Sequence, residues 1–218
     1  MACPSLLVGF TLTAYLLGAI PNGLLIGRIK GVDIRKVGSG NIGATNVFRS
    51  LGRGWGILTF LLDALKGLIP ALVFPLLMAR LMGQPLNRDF GIFFGVAAIA
   101  GHNWPIYLRF KGGKGVATSA GVLIGIAPAA VLIGALCWGI VCALSRYVSL
   151  ASITAAVAVP IAGWILYLPH RGPLLPGVLT LLGAVIIVRH RANIQRLRAG
   201  TENRFGSKKK VETTSHVN

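Results

Sequence analysis

Apolar stretches long enough to cross a membrane alternate along this chain with short polar stretches rich in glycine and basic residues. The apolar runs fall near 5–27, 55–80, 90–108, 116–145, 148–168 and 174–188. A helix needs about 20 predominantly apolar residues to span a bilayer core. The pattern therefore predicts an all-α fold, a polytopic integral membrane helical bundle. Residues 1–205 read as a single membrane domain, and 206–218 as a polar, disordered cytoplasmic tail.

Charge orients the bundle. Arg28, Lys30, Arg35, Lys36, Arg49 and Arg53 crowd the segment after the first run, Arg109, Lys111 and Lys114 follow the third, and a further basic block runs from Arg189 to Lys210. Short loops rich in Lys and Arg stay in the cytoplasm. All three basic segments should lie inside, with the N-terminus outside and the C-terminus cytoplasmic. The connection around Gly83–Asp89, with only Arg80 and Arg88 near its ends, would face out. Three unbroken helices between Gly115 and Arg189 would put the last basic segment on the wrong side. A break of 116–145 at Pro128 restores the parity and gives seven transmembrane helices, since proline disrupts a helix interior but suits a helix start. The alternative is five helices, with 148–188 crossing once. Seven is preferred, because His170-Arg171-Gly172-Pro173 suits an external turn.

Composition agrees with a membrane class. The 218 residues are 54% hydrophobic and 12% charged, where a soluble domain carries about 25% charged residues. The net charge of +17 does not point to nucleic acid, because the cations sit between and after apolar spans. Anionic headgroups, membrane lipid and phosphorylated molecules are the expected partners. Cys3, Cys137 and Cys142 form no disulfide framework or metal-site spacing. The first run lacks the basic residues that precede a secretory signal's apolar core, so it reads as a retained helix.

The polar stretches carry the candidate chemistry. The first, Gly38-Ser-Gly-Asn-Ile-Gly-Ala-Thr-Asn46 with Arg49, offers Ser39, Asn41, Thr45, Asn46 and Arg49, groups suited to a polyol and its phosphate. The second runs from Gly101-His102 through Lys111-Gly-Gly-Lys-Gly115 to Thr118, with the glycine loop immediately before a predicted helix. Free N–H groups at a helix start beside lysines make an anion site. Lys114 is followed by Gly115 rather than Ser or Thr, so this is not a Walker A loop. The third holds Arg189, His190, Asn193 and Arg196, with Glu202 and Phe205 beyond. His190, between two arginines and near Asn193, is the stronger functional candidate; His102, beside Trp104-Pro105, is equally a structural residue. Asp63 and Lys66 lie one turn apart within the second run, either a local pair or support for a site. The tryptophans read as packing or interface anchors. No metal cluster, cofactor motif or His-x₄-Asp arrangement is visible. An anion transporter is the competing class, but it would place polar groups near mid-membrane and show internal repeats.

These three segments, in this order, resemble the signatures of the bacterial membrane acyl-phosphate:glycerol-3-phosphate acyltransferase family, and the likeness runs to about Phe205. The resemblance implies transfer of a fatty acyl group from acyl-phosphate, not acyl-CoA, to the sn-1 hydroxyl of glycerol 3-phosphate. The products would be lysophosphatidic acid and phosphate, in the first step of phospholipid synthesis. It implies a multi-pass protein of the bacterial inner membrane with its active site on the cytoplasmic side, and a soluble enzyme that supplies acyl-phosphate. His190, Asn193 and Ser39 are the expected catalytic residues. Glycerol 3-phosphate is expected at Ser39, Asn41, Thr45, Asn46, Arg49, Lys111, His190 and Asn193. Acyl-phosphate is expected at Lys111, Gly112, Gly113, Lys114, Gly115 and Thr118. No metal or cofactor is expected.

Overall fold

The computed structural model describes residues 4–85, 87 and 89–206. The expected tail beyond Gly206 lies outside the described residues, as do Cys3 and Arg88. Among the described residues there are ten α-helices and no strand. In chain order they are α1 (Pro4–Ala19), α2 (Asn22–Ile29), α3 (Ala44–Leu51), α4 (Arg53–Met82), α5 (Phe90–Asn103), α6 (Val116–Ile126), α7 (Pro128–Ser145), α8 (Val148–Arg171), α9 (Leu174–Arg189) and α10 (Arg191–Arg198).

Every apolar run forms helix; prolines mark three of the breaks, while α4 runs through Pro70 and Pro75 and α8 through Pro160 and Pro169. The first run is not one helix: it breaks at Ile20–Pro21, with a bend of 40° between α1 and α2. Proline has no N–H and its ring crowds the preceding turn. The Ile20 carbonyl, at the break, accepts a hydrogen bond from Lys66 Nζ at 2.7 Å. The third run ends early, at Asn103, because Pro105 holds Trp104 out of the helical region, at φ −133° and ψ 64°. A short 3₁₀ turn, Ile106–Leu108, follows.

The fourth run breaks where expected, and Pro128 opens α7. The C-terminal end of α6 is capped from outside: Arg171 donates from Nη1 to the Ile126 carbonyl at 2.7 Å and pairs through Nη2 with Asp89 at 2.8 Å. The last two runs are separate helices, α8 and α9, that meet at Gly172, whose φ of 68° favours glycine. Three helices, α4, α7 and α8, are each long and apolar enough to cross a membrane, and five spans result if the bent pairs α1–α2 and α9–α10 each count as one. α5 and α6, of 14 and 11 residues, are shorter.

The helices pack as neighbouring pairs: α1 on α5, α4 on α6, α7 on α8 and α8 on α9. Lipid tails are as apolar as leucine, so close backbone approach at small residues holds such pairs together. A Cβ at Gly67 of α4 would strike the Thr118 carbonyl, and one at Gly121 of α6 would strike that of Ala64. The largest buried apolar cluster joins α4, α5, α6, α7, α8 and α9 around Val122, Leu123, Leu175 and Leu179. The three polar segments meet at one end of the bundle, where residues of all three line a single pocket.

Candidate active site

The first segment builds its loop around one amide. Asn46 is buried, donates from Nδ2 to the carbonyls of Ile34 (3.0 Å) and Val37 (3.1 Å), and accepts from the Ser39 N–H at 2.8 Å. Gly38 has a φ of 59°, and a Cβ there would strike Asn46 Oδ1. Asn46 thus holds Ser39 in place and leaves little capacity for a ligand. Asn41 accepts from the Gly43 N–H at 2.9 Å, in an Asx turn that leads into α3. Arg49, on α3, donates from Nη2 to the Asn203 carbonyl at 3.1 Å, while its buried Nε has no hydrogen-bond partner. Burial holds the Arg49 guanidinium below its usual pKa; nearby Glu202 opposes the shift and Arg196 adds to it.

The second segment departs from expectation. Lys111 is exposed and lines neither of the two cavities described below, and Gly112 and Gly113 line neither. Their small size serves packing instead. A Cβ at Gly112 would strike the His102 carbonyl and the Pro105 ring, and one at Gly113 would strike the His102 imidazole. The Gly113 N–H donates to the His102 carbonyl at 3.1 Å. Arg189 donates to the Gly112 carbonyl (2.9 Å, from Nη2) and to the Gly113 carbonyl (3.0 Å from Nε, 2.6 Å from Nη2). Arg189 therefore ties the loop in place. Thr118 is fully buried, lines neither cavity, and lies on the face of α6 that meets α4.

The anion-binding features lie one turn further along, at Lys114, Gly115, Val116 and Ala117, which do line the polar pocket. Gly115 has a φ of 81° and precedes α6, whose first-turn N–H groups have no intrahelical partner, and Gly115, Val116 and Ala117 line the cavity. Lys114 donates from Nζ to Asn193 Oδ1 at 2.5 Å. Burial pushes the Lys114 pKa from 10.5 down to about 8; Glu202 opposes this, while Arg196, Arg49 and Arg189 reinforce it. An anion in the pocket would relieve that strain.

The third segment completes the pocket. The buried His190 places Nδ1 2.8 Å from the Ile186 carbonyl, which requires the proton on Nδ1 and leaves Nε2 as the free ring nitrogen. Asn193 donates from Nδ2 to Glu202 Oε1 at 2.7 Å. Glu202 also accepts from Ser149 Oγ at 2.8 Å and from Arg196 Nε at 2.6 Å. Burial works against the Glu202 charge, but the bonds from Asn193, Ser149 and Arg196 outweigh it and hold the carboxyl below the usual glutamate range.

The structure adds residues that spacing did not assign. Asp63 and His102 line the polar pocket beside Ser149 and Ser152. Asp63 pairs with Lys66 at 2.9 Å and accepts from Asn22 Nδ2 at 3.0 Å, so the one-turn pair is both a local ion pair and a strut joining α4 to the α1–α2 break. Trp138 donates from Nε1 to Ser152 Oγ at 3.2 Å and lines both cavities, so it is more than a packing anchor. The signal for Ser149 and Ser152 was present as two hydroxyls at one end of an apolar run. Among the described residues no His, Cys, Asp and Glu group could hold a metal ion.

Two cavities thus share a wall. The polar one, about 150 Å³, is lined by Ser39, Asn41, Thr45, Arg49, Lys114, His190 and Asn193 among others. The apolar one, about 460 Å³, runs between α4, α6, α7, α8 and α9. Thr45, Phe60, Val116, Trp138, Val148 and Ser152 line both. The arrangement suits a molecule with an anionic head and an apolar tail, beside a second small phosphorylated one.

Comparison with known proteins points the same way. A family model described as glycerol-3-phosphate acyltransferase matches residues 8–200. A glycerol-3-phosphate acyltransferase of Geobacter sulfurreducens is 52% identical over 196 residues, covering 89% of this chain and 95% of its own. That of Aquifex aeolicus is 45% identical over 198 residues, covering 88% and 95%. The crystal structure of PlsY (YgiH), an integral membrane glycerol 3-phosphate acyltransferase, in its glycerol 3-phosphate form superposes with a TM-score of 0.81 at 43% identity, over 92% of this chain and 96% of that one. The lysophosphatidic acid form of PlsY gives 0.79 at 42%, over 92% and 95%.

Proposed function

Since this chain belongs to the glycerol-3-phosphate acyltransferase family and is an integral membrane acyltransferase, we propose that it transfers a fatty acyl group from acyl-phosphate to the sn-1 hydroxyl of glycerol 3-phosphate. The products are lysophosphatidic acid and inorganic phosphate. The observation that carries this reading is the shared wall between a cationic polar pocket and an apolar groove. Glycerol 3-phosphate and lysophosphatidic acid are the forms in which the related PlsY structures are described, which supports the acceptor and the product.

Arg49 and Lys114, with the first turn of α6, neutralise phosphate in the polar pocket. Ser39, Asn41, Thr45 and Asn193 orient the polyol, and Asn46 acts through Ser39. The donor's tail lies in the groove, which brings its carbonyl to the shared wall. The sn-1 oxygen attacks the carbonyl carbon, the ester C–O bond forms, and the bond from carbon to the phosphate oxygen breaks. Phosphate leaves with that electron pair, and the hydroxyl proton passes to it directly or by way of His190 Nε2. An acyl-phosphate is already activated, so orientation and charge neutralisation are the main demands on the protein.

The same reading takes residues 1–205 as one functional unit in the bacterial inner membrane, with seven spans, the N-terminus outside and the three basic segments and C-terminus in the cytoplasm. A soluble enzyme would deliver the acyl-phosphate. The positive-inside rule supports the orientation, and so does the pairing of Arg171, at the opposite end, with Asp89. Labelling of single cysteines in intact cells checks it: an impermeant reagent should miss positions near Ser39, Lys111 and His190, and strong labelling there would reverse the topology. The reaction is tested by giving purified protein glycerol 3-phosphate with acyl-phosphate or acyl-CoA, side by side. Transfer from acyl-phosphate alone is expected. Transfer from acyl-CoA alone would overturn the donor assignment, and no transfer from either, together with anion flux in vesicles, would favour a transporter.

A further inference from the structure

The apolar groove runs along the helices, and residues lining its far end belong to the bundle's main core or pack against it. At its near end it is lined by Val116 of α6, Trp138 of α7 and Val148 and Ser152 of α8, all shared with the polar pocket. Away from that pocket each helix contributes a stripe at one-turn spacing. The stripe on α8 continues through Ala155 and Ala156 to Val159 and Pro160. At 1.5 Å per residue the wall from Val148 to Pro160 is roughly 18 Å long. A bilayer's hydrocarbon core is about 30 Å thick, so one leaflet's chain spans about 15 Å. The groove therefore has the depth of one ordinary fatty acyl chain.

Its walls and its end differ in character. Along the middle lie Ala120, Gly134, Ala135, Ala155, Ala156 and Gly183, which keep the passage open. At the end stand Leu123 and Leu179, both members of the main buried cluster, with Val131 and Val159 packed against it. Gly134 sits so close to Val159 that a Cβ on it would strike the valine side chain, so Val159 cannot swing toward α7. Ala155 lies one turn nearer the polar pocket than Val159, on the same face of α8, and is half-buried.

We propose that this groove is a ruler for the donor's acyl chain, with Val159 at its floor setting the longest chain accepted and the small side chain of Ala155 admitting chains of that length. The inference rests on the acyl-phosphate reading above. A methylene with no room in an apolar pocket lowers specificity by about tenfold or more. Filling the passage at Ala155 should therefore act on long donors far more than on short ones.

The test uses the full-length purified protein, glycerol 3-phosphate and a competing ladder of saturated acyl-phosphates from octanoyl to stearoyl, with the lysophosphatidic acids resolved by mass spectrometry. Ala155→Phe should lower the ratio of palmitoyl to decanoyl product by at least about tenfold. Val159→Ala, which removes volume and is the milder change, should move the optimum toward longer chains. Profiles that coincide in the wild type and Val159→Ala, with Ala155→Phe lowering all chain lengths alike or failing to fold, would overturn the ruler. Absence of transfer from every acyl-phosphate by the wild-type chain would instead remove the functional reading on which it rests.

Discussion

Lys114 donates its ammonium hydrogen bond to Asn193 Oδ1 across 2.5 Å, joining residues 79 apart in the chain. That bond links the glycine loop before α6 to the turn of α10, and Asn193 passes it on to Glu202. Lys114 is thus both a cation facing the polar pocket and the fastener between two of the three polar segments.

The lysine should set an alkaline limit on activity. Its pKa is pushed from 10.5 down to about 8, so the ammonium is present below that pH and is lost as pH rises through it. Only the charged form neutralises phosphate. The kcat/KM for glycerol 3-phosphate, which reports the free enzyme, should fall above about pH 8 for that reason. Arginine keeps its charge at this pH. If Lys114→Arg remains active, its profile should lack the alkaline limb; an unchanged limb in that variant would assign the ionisation elsewhere.

Arg49 lines the same pocket, and its buried Nε has no hydrogen-bond partner. A hydrogen bond to a charged group contributes roughly 1.5–3 kcal/mol, so Arg49→Ala should lower kcat/KM for glycerol 3-phosphate roughly ten- to hundredfold. Initial-rate kinetics with the acceptor varied are the check. Normal kinetics in this variant would remove Arg49 from the site.

The glycine loop can be divided by substitution. Gly113→Ala changes no charge, yet its Cβ would strike the His102 ring and displace the backbone that Arg189 holds. It should impair donor use in a variant that still folds. Lys111→Ala should change the kinetics little, because the side chain is exposed and lines neither cavity. Full activity in folded Gly113→Ala, or a large loss in Lys111→Ala, would reverse these assignments.

The helical bundle, its break at Pro128 and the meeting of three polar segments were legible in the sequence, because apolar runs and proline act locally. The break at Pro21 was equally local, but the apolar run continues through it and hides it. The roles within the glycine loop were not legible. Spacing shows that Gly112 and Gly113 are small, but not that His102 and Pro105, from the end of α5, occupy the space that side chains would fill. Asp63 escaped assignment for the same reason. Its partner Lys66 lies one turn away and accounts for the charge, while the face it turns toward the pocket depends on how α4 packs. Trp138 and Ser152 become a shared wall only when α7 folds back on α8.

The acyl group should pass directly from phosphate to the glycerol hydroxyl where the two cavities meet, with no acyl-enzyme. Cys137 and Cys142 lie within α7 and line neither cavity, and no pocket hydroxyl belongs to a base-and-acid triad. Two-substrate initial rates, combined with acyl-labelled donor added alone, test this most directly. Sequential kinetics and no label retained on the protein are expected, with His190→Ala lowering kcat but leaving the kinetic order unchanged. Ping-pong kinetics, or label held on the protein before glycerol 3-phosphate is added, would rule out direct transfer and direct attention to Ser39 and to Ser119, a buried residue of α6 that lines the apolar groove, as nucleophiles.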